Sequence, residues 1–253
     1  MMILKHAFPA IMAASLVAGP VQAFDIKAMS DEERAQFGAQ VREYLLENPN
    51  VIVEAINILE QQQAVAEAQA DKALVASNAD ELFNDGYSWV GGNPNGDITL
   101  VEFMDYRCGY CRRAVPEVDA LLKTDGNIRL VIKEFPILGE ASMLSSRFAV
   151  ATKHVAGNDA YKQVHDALIE FGGDVTDVTL RRISDGLGLD SDAILAAMDS
   201  DEVTEEITQT RALAQRLQIS GTPTFVLETE MLRGYLTADQ LQQIAEGVRS
   251  EQG

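Results

Sequence analysis

The chain has 253 residues, with 39 acidic against 20 basic side chains, a formal net charge of −19, and 47% hydrophobic residues. So acidic a balance excludes nucleic acid as a partner and works against anionic lipid, while the length suffices for one large domain or a domain with an appendage. Two cysteines exclude a disulfide framework of several bridges, and with no third cysteine and only two histidines after the predicted cut at residue 23, a tetrahedral zinc site is the weaker reading of the thiols.

Residues 1–23 carry a basic start at Lys5, an apolar stretch from Ala7 to Val21, and Val21 and Ala23 before the predicted cut. This pattern predicts a cleaved signal peptide and export to the periplasm. The alternative, an uncleaved anchor, would need about 20 apolar residues, and Pro9, Gly19 and Pro20 interrupt the stretch. No later segment is apolar enough to insert directly into a membrane.

Residues 24–75 read as an N-terminal helical segment. Ser30-Asp31-Glu32-Glu33 is a capping box, and Phe37, Val41, Tyr44 and Leu45 follow at helical spacing. Asn48-Pro49 closes that helix and opens a second, predicted to run to about Leu74. Along it Ile52, Ile56, Leu59, Gln63, Ala66, Ala70 and Ala73 form a heptad seam, widened by Val51, Val53, Ala55 and Ile58. A helix so apolar at its start must bury more than one side. Another copy of the chain can supply that cover, so a homo-oligomer is expected; the alternative is packing against its own domain.

From residue 76 to 253 the pattern is mixed α/β. Strands are predicted at Ser88–Val90, Ile98–Met104, Ile128–Phe135 and Thr224–Leu227, with an edge strand at Met231–Gly234. A helical insertion at about 139–200 lies between the third and fourth. Its stripes are Leu144, Phe148, Ala151 and Val155, then Tyr161, Val164, Leu168 and Phe171, then Leu180, Ile183 and Leu187. Gly157, Gly172-Gly173 and Gly188 punctuate them. A further helix spans about Asp201 to Leu217. The last begins at the capping box Thr237–Gln240 and buries Leu241, Ile244 and Val248.

The only two cysteines stand together as Cys108-Gly109-Tyr110-Cys111, directly after the strand 98–104. A thiolate that opens a helix gains from unpaired backbone amides and the positive end of the helix dipole, which lowers its pKa. Cys108 is the expected nucleophile. Cys111, about one turn on, shares its helix face and is placed to attack a mixed disulfide at Cys108. A purely structural bond would close so short a ring that it removes little chain entropy. The pair points to redox chemistry without a cofactor.

Strand, C-x-x-C, helical insertion and a late Thr-Pro together resemble the DsbA family of thioredoxin-fold proteins over roughly Ser88 to the C-terminus. Val101-Glu102-Phe103-Met104-Asp105-Tyr106-Arg107-Cys108 is similar to the family's strand-to-active-site run, and Lys133-Glu134-Phe135-Pro136 to its next strand. The N-terminal helices with Glu47-Asn48-Pro49, and Cys-Gly-Tyr-Cys beside Gly221-Thr222-Pro223-Thr224, look closest to the ScsC-like branch of oligomeric disulfide isomerases. The resemblance implies a thioredoxin fold with an inserted helical domain and an N-terminal oligomerisation segment, with a trimer as the guessed assembly.

It also implies site roles. Thr222-Pro223 becomes a cis-proline loop facing the dithiol, and Gly109, Tyr110, Thr222 and Pro223 the surface that meets the client. The Thr222 hydroxyl is expected near Cys108. Glu102, six residues before Cys108, becomes a buried carboxylate that takes the proton from Cys111, with Lys133 as its charge partner; otherwise it is a solvent-facing strand residue. Pro116 would kink the helix after the cysteines. Tyr110 stands where other members place a histidine, so the disulfide should be less oxidising, with Arg107 and Arg112 compensating in part. His154 and His165 are expected on a helix face or in the core.

The implied activity is isomerisation or reduction of wrong disulfides in client proteins, with a membrane-bound thiol reductant keeping the dithiol reduced. The rivals are a monomeric thiol oxidase of the same fold and a copper-binding or chaperone-like module using the same thiols.

Overall fold

A computed structural model of the protein describes residues 28–252, without the Gln252 side chain; the signal-peptide expectation for residues 1–23 lies outside them. The described residues divide into two units, one up to Glu60 and one from Gln61 onward.

In the first unit, α1 (Asp31–Glu47) starts at the expected capping box. Ser30 Oγ accepts the Glu33 amide at 3.3 Å, and Glu33 Oε2 accepts the Ser30 amide at 2.8 Å. Asn48 ends the helix, its amide donating to Tyr44 O at 2.8 Å, and α2 (Asn50–Ser77) begins after Pro49. α1 buries no residue, and Phe37, Val41, Tyr44, Ile52, Ile56 and Leu59 are exposed.

The second unit takes up α2 from Gln61 onward. Lys72 pairs with Glu230 at 2.6 Å, Asp71 pairs with Arg233, and Val75 is buried. α3 (Ala79–Phe83) follows, a short helix anchored by buried Leu82 with Phe83 beside it, too short to show a helical period in the sequence. The sheet contains β1 (Trp89–Gly92), β2 (Ile98–Met104), β3 (Ile128–Glu134), β4 (Thr224–Leu227) and β5 (Glu230–Arg233) in the order β1-β3-β2-β4-β5. Only β2 and β3 run parallel. The chain crosses between them through α4 (Gly109–Asp125), the right length for a βαβ connection.

Both central strands are covered on both faces, which is why they read as near-continuous apolar runs. On one face Ile98, Leu100, Leu130 and Ile132 pack with Ala114, Val118 and Leu121 of α4 and Leu241, Ala245 and Val248 of α10 (Ala238–Gln252). On the other, Val101, Phe103, Val131 and Val226 meet Val75, Leu82 and, from α9 (Asp201–Arg216), Leu213 and Ala214.

Between β3 and α9 stand α5 (Glu140–Ala156), α6 (Asn158–Glu170), α7 (Asp177–Gly186) and α8 (Ser191–Ala197). Phe148, Tyr161, Val164, Leu168, Leu180 and Ile194 continue the first core into these helices. Gly157, at φ 87°, ends α5 as its position in the sequence suggested. Two details differ from the sequence reading. Val155 is exposed, since α5's last turn runs past the core, and α8 was unforeseen, its start fixed by Asp190 Oδ1 accepting the Ala193 amide at 3.0 Å.

Candidate active site

Cys108 is the N-cap of α4, where amides of the first turn lack helical partners. Asp105, fully buried at the end of β2, builds the turn that delivers it. The Asp105 carbonyl accepts the Cys108 amide at 3.1 Å, and its carboxylate accepts the amides of Arg107 at 2.8 Å, Ile137 at 2.8 Å and Leu138 at 3.1 Å. One side chain thus ties the dithiol turn to the loop after β3. The sequence reading missed this role, although an Asp two residues before an amide it can cap is a recognisable turn signal.

Both cysteines are free thiols. Cys108 is 7% exposed and Cys111 is fully buried on the inner face of α4. Gly109 and Tyr110 between them are exposed, and a Cβ on Gly109 would meet no atom within 4 Å, so that position faces open space. The Thr222–Pro223 bond is cis. Cys108 Sγ donates to the Thr222 carbonyl at 3.1 Å, so Thr222 reaches Cys108 through its backbone.

Glu102 points into the core of the cysteine face, 3% exposed, and not to solvent. Burial, with the Asp119 charge second, pushes its carboxyl up to about 8. Its Oε1 has no hydrogen-bond partner, and the side chain borders a small cavity that also touches Asp119, Lys162 and His165. Burial and then the Glu102 charge push the Cys111 thiol far up, while the Asp105 backbone and Thr222 hydroxyl pull it down.

Lys133 is not the partner of Glu102. The register pairs Glu102 with Ile132, so Lys133 projects from the opposite face, where it bonds to Asp85 and to the Glu81 carbonyl at 2.7 Å. A one-residue offset in a strand changes the face, and that offset separates the two groups. Arg107 and Arg112 commit their guanidinium donors to backbone carbonyls, of Phe171 and Gly173 for Arg107 and of Tyr106 and Phe171 for Arg112. Pro116 lies inside α4, removing one amide from its ladder.

A second buried carboxylate also escaped the sequence reading. Glu134 accepts hydrogen bonds from Tyr106 at 2.7 Å, Tyr161 at 2.6 Å and Ser146 at 2.7 Å; burial raises its carboxyl to about 7 against those bonds. His165 lies 3.1 Å from the Tyr106 hydroxyl in the core, and burial lowers it to about 4. His154 faces Glu206 at 3.1 Å on α5's partly exposed side.

A dithiol at a helix start, with its second sulfur buried and a cis-proline loop against its first, on a five-stranded α/β sheet, defines a thiol–disulfide oxidoreductase of the thioredoxin fold. Family models narrow this. A DSBA-like thioredoxin domain matches residues 99–246, and the chain belongs to that family. The copper resistance protein ScsC N-terminal domain matches residues 33–66.

A thioredoxin-like oxidoreductase from Silicibacter pomeroyi DSS-3 superposes with a TM-score of 0.63 at 43% identity, over 68% of this chain and 97% of that one. A linker-deleted variant of Proteus mirabilis ScsC shares the fold with a TM-score of 0.65 at 23% identity, over 90% of this chain and all of that one. The chain spans only about a fifth of a curated relative, a Na(+)/H(+) antiporter NhaA of Salinispora tropica, 29% identical over 54% of this chain. Among the described residues no helix is long and apolar enough to cross a membrane.

Proposed function

We propose that this chain is an exported disulfide isomerase, able also to reduce wrong disulfides, that works in the periplasm as a homo-oligomer. Cys108 attacks a misplaced disulfide in a client. The client's own thiols then rearrange the mixed disulfide, and Cys111 releases the client when they do not. In its ionised form, the minority below about pH 8, Glu102 takes the Cys111 proton as that thiol becomes the attacking thiolate, and returns it when the dithiol is restored. Because isomerisation starts from the dithiol, a membrane-bound thiol reductant must regenerate it.

One observation carries the reading: a DsbA-type dithiol stands in the same chain as an ScsC-type N-terminal segment whose apolar residues, Val41, Tyr44, Ile52, Ile56 and Leu59 among them, are exposed. Covering them with further copies would set several active sites around one client. The leader-like residues 1–23 support export.

The test compares the mature protein with a version lacking residues 24–60, by light scattering and by rescue of a scrambled disulfide substrate. The cut stops at Glu60 because Asp71, Lys72 and Val75 are tied into the catalytic unit. An oligomer that loses both assembly and rescue on truncation is the expected result. A mature protein that is monomeric and isolated fully oxidised is an oxidase.

The name of the matching N-terminal family favours a second reading, in which the thiol pair holds soft monovalent copper. Cys111→Ala separates the two. An exchange enzyme then accumulates client mixed disulfides, whereas a metal binder traps none and loses stoichiometric copper.

A further inference from the structure

We propose that Arg113 forms a carboxylate-recognition subsite beside Cys108, selecting client segments that carry an acidic side chain next to the disulfide under attack. The inference rests on the exchange chemistry assigned to Cys108. Tyr110 and Arg113 are three residues apart on α4, and the guanidinium carbon lies 5.1 Å from the Tyr110 ring centre. It also lies 4.9 Å from the ring centre of Tyr235, in the loop between β5 and α10.

Tyr235 is itself fixed. Its hydroxyl donates to Glu117 Oε1 at 2.8 Å, and Glu117 Oε2 accepts the Ala238 amide at 2.8 Å. The neighbouring Gly234 amide donates to the Pro223 carbonyl at 2.9 Å, joining this loop to the cis-proline. Arg113 therefore lies close both to Tyr110, one of the two residues between the cysteines, and to the loop attached to Pro223.

The two rings stabilise the cation and restrict where it can go, without using its N–H donors. Arg113 has no hydrogen bond or ion pair among the described residues, and Glu117, one turn along α4, has both oxygens engaged as just described. A planar fork with free donors fits a carboxylate, which it can hold bidentately. In a chain of net charge −19, long-range attraction cannot draw acidic clients in, so the selection must be local.

The reaction that reads it is simple. Cys108 thiolate attacks one sulfur of a disulfide-linked peptide dimer, the peptide S–S bond breaks, and the departing peptide thiolate takes a proton from solvent. Cys111 thiolate, its proton passed on, then attacks Cys108 Sγ and releases the second peptide, so two electrons pass from the dithiol to the peptide disulfide.

Peptide dimers identical except for Glu or Gln beside the cysteine are mixed with the full-length reduced protein, and peptide thiol release is followed by acid quench. The wild type is expected to prefer Glu over Gln by about fivefold at low salt. In Arg113→Gln the ratio falls to about one, and in Arg113→Lys, which keeps the charge without the fork, to below about twofold. No preference in the wild type, a preference that survives Arg113→Gln, or a full preference in Arg113→Lys would overturn the subsite. Failure of the Gln dimer to react at all would instead remove the exchange chemistry beneath it.

Discussion

Replacing Glu102 by Gln should stabilise the reduced protein, and by more as the pH rises. The buried carboxyl keeps its proton to about pH 8, whereas in the unfolded chain it ionises near 4.5. Between those values the folded state binds one more proton than the unfolded state, so the wild type loses stability as the pH climbs through the window. At about 1.4 kcal/mol per pKa unit the loss reaches about 5 kcal/mol by pH 8. Gln does not titrate, and its own burial adds only a constant offset.

Cys111 holds its proton throughout this range in the folded state, so it does not counterfeit the slope. The assay is urea unfolding at fixed intervals from pH 4.5 to 8 under a thiol reductant, followed by the emission of Trp89, the only tryptophan, which is buried against Tyr161. The stability difference between Glu102→Gln and wild type should grow by several kcal/mol across the series. A difference that stays flat within about 1 kcal/mol, against the slope expected of one proton, would refute the raised carboxyl.

The same substitution should slow resolution, so that quenched reactions with a disulfide peptide contain more Cys108 mixed disulfide than wild type; an unchanged level would remove Glu102 from proton transfer. Under limiting iodoacetamide at pH 7, peptide mapping should find Cys108 labelled well before Cys111, because the second thiol is fully buried and its pKa is pushed up; equal labelling would contradict the division of roles. Lys133→Met should cost about 3–5 kcal/mol by stranding the buried Asp85 carboxylate, yet leave the pH window of Glu102 in place. A shift of that window would restore Lys133 as the partner of Glu102.

The active site was legible where chemistry is local. Cys108 and Cys111 are three apart at the end of an apolar run, and helix geometry alone puts one at the cap and the other inward. The capping boxes at Ser30 and Thr237 were equally readable, Thr237 with Gln240 closing as Ser30 does with Glu33, whereas the one Thr176 forms with Thr179 was not. Asp105 and Glu134 were not, because their partners, Ile137 for one and Tyr161 for the other, lie about 30 residues away. The Lys133 pairing failed for a related reason. Resemblance set two charges on neighbouring strands, and the register then turned them to opposite faces.

By itself the sequence determined the order of the strands and the longer helices, the burial of the central strands and the placing of the two sulfurs at a helix start, since each depends on residue type and spacing within a few turns of chain. Only the tertiary structure decided what surrounds them: Thr222 meeting Cys108 through its carbonyl, Glu102 left with an unpartnered oxygen, and Arg113 set close to both Tyr110 and Tyr235. Those environments arise where segments more than a hundred residues apart, such as α4 and the β5–α10 loop, come into contact, and no local pattern encodes which side chains will then face each other.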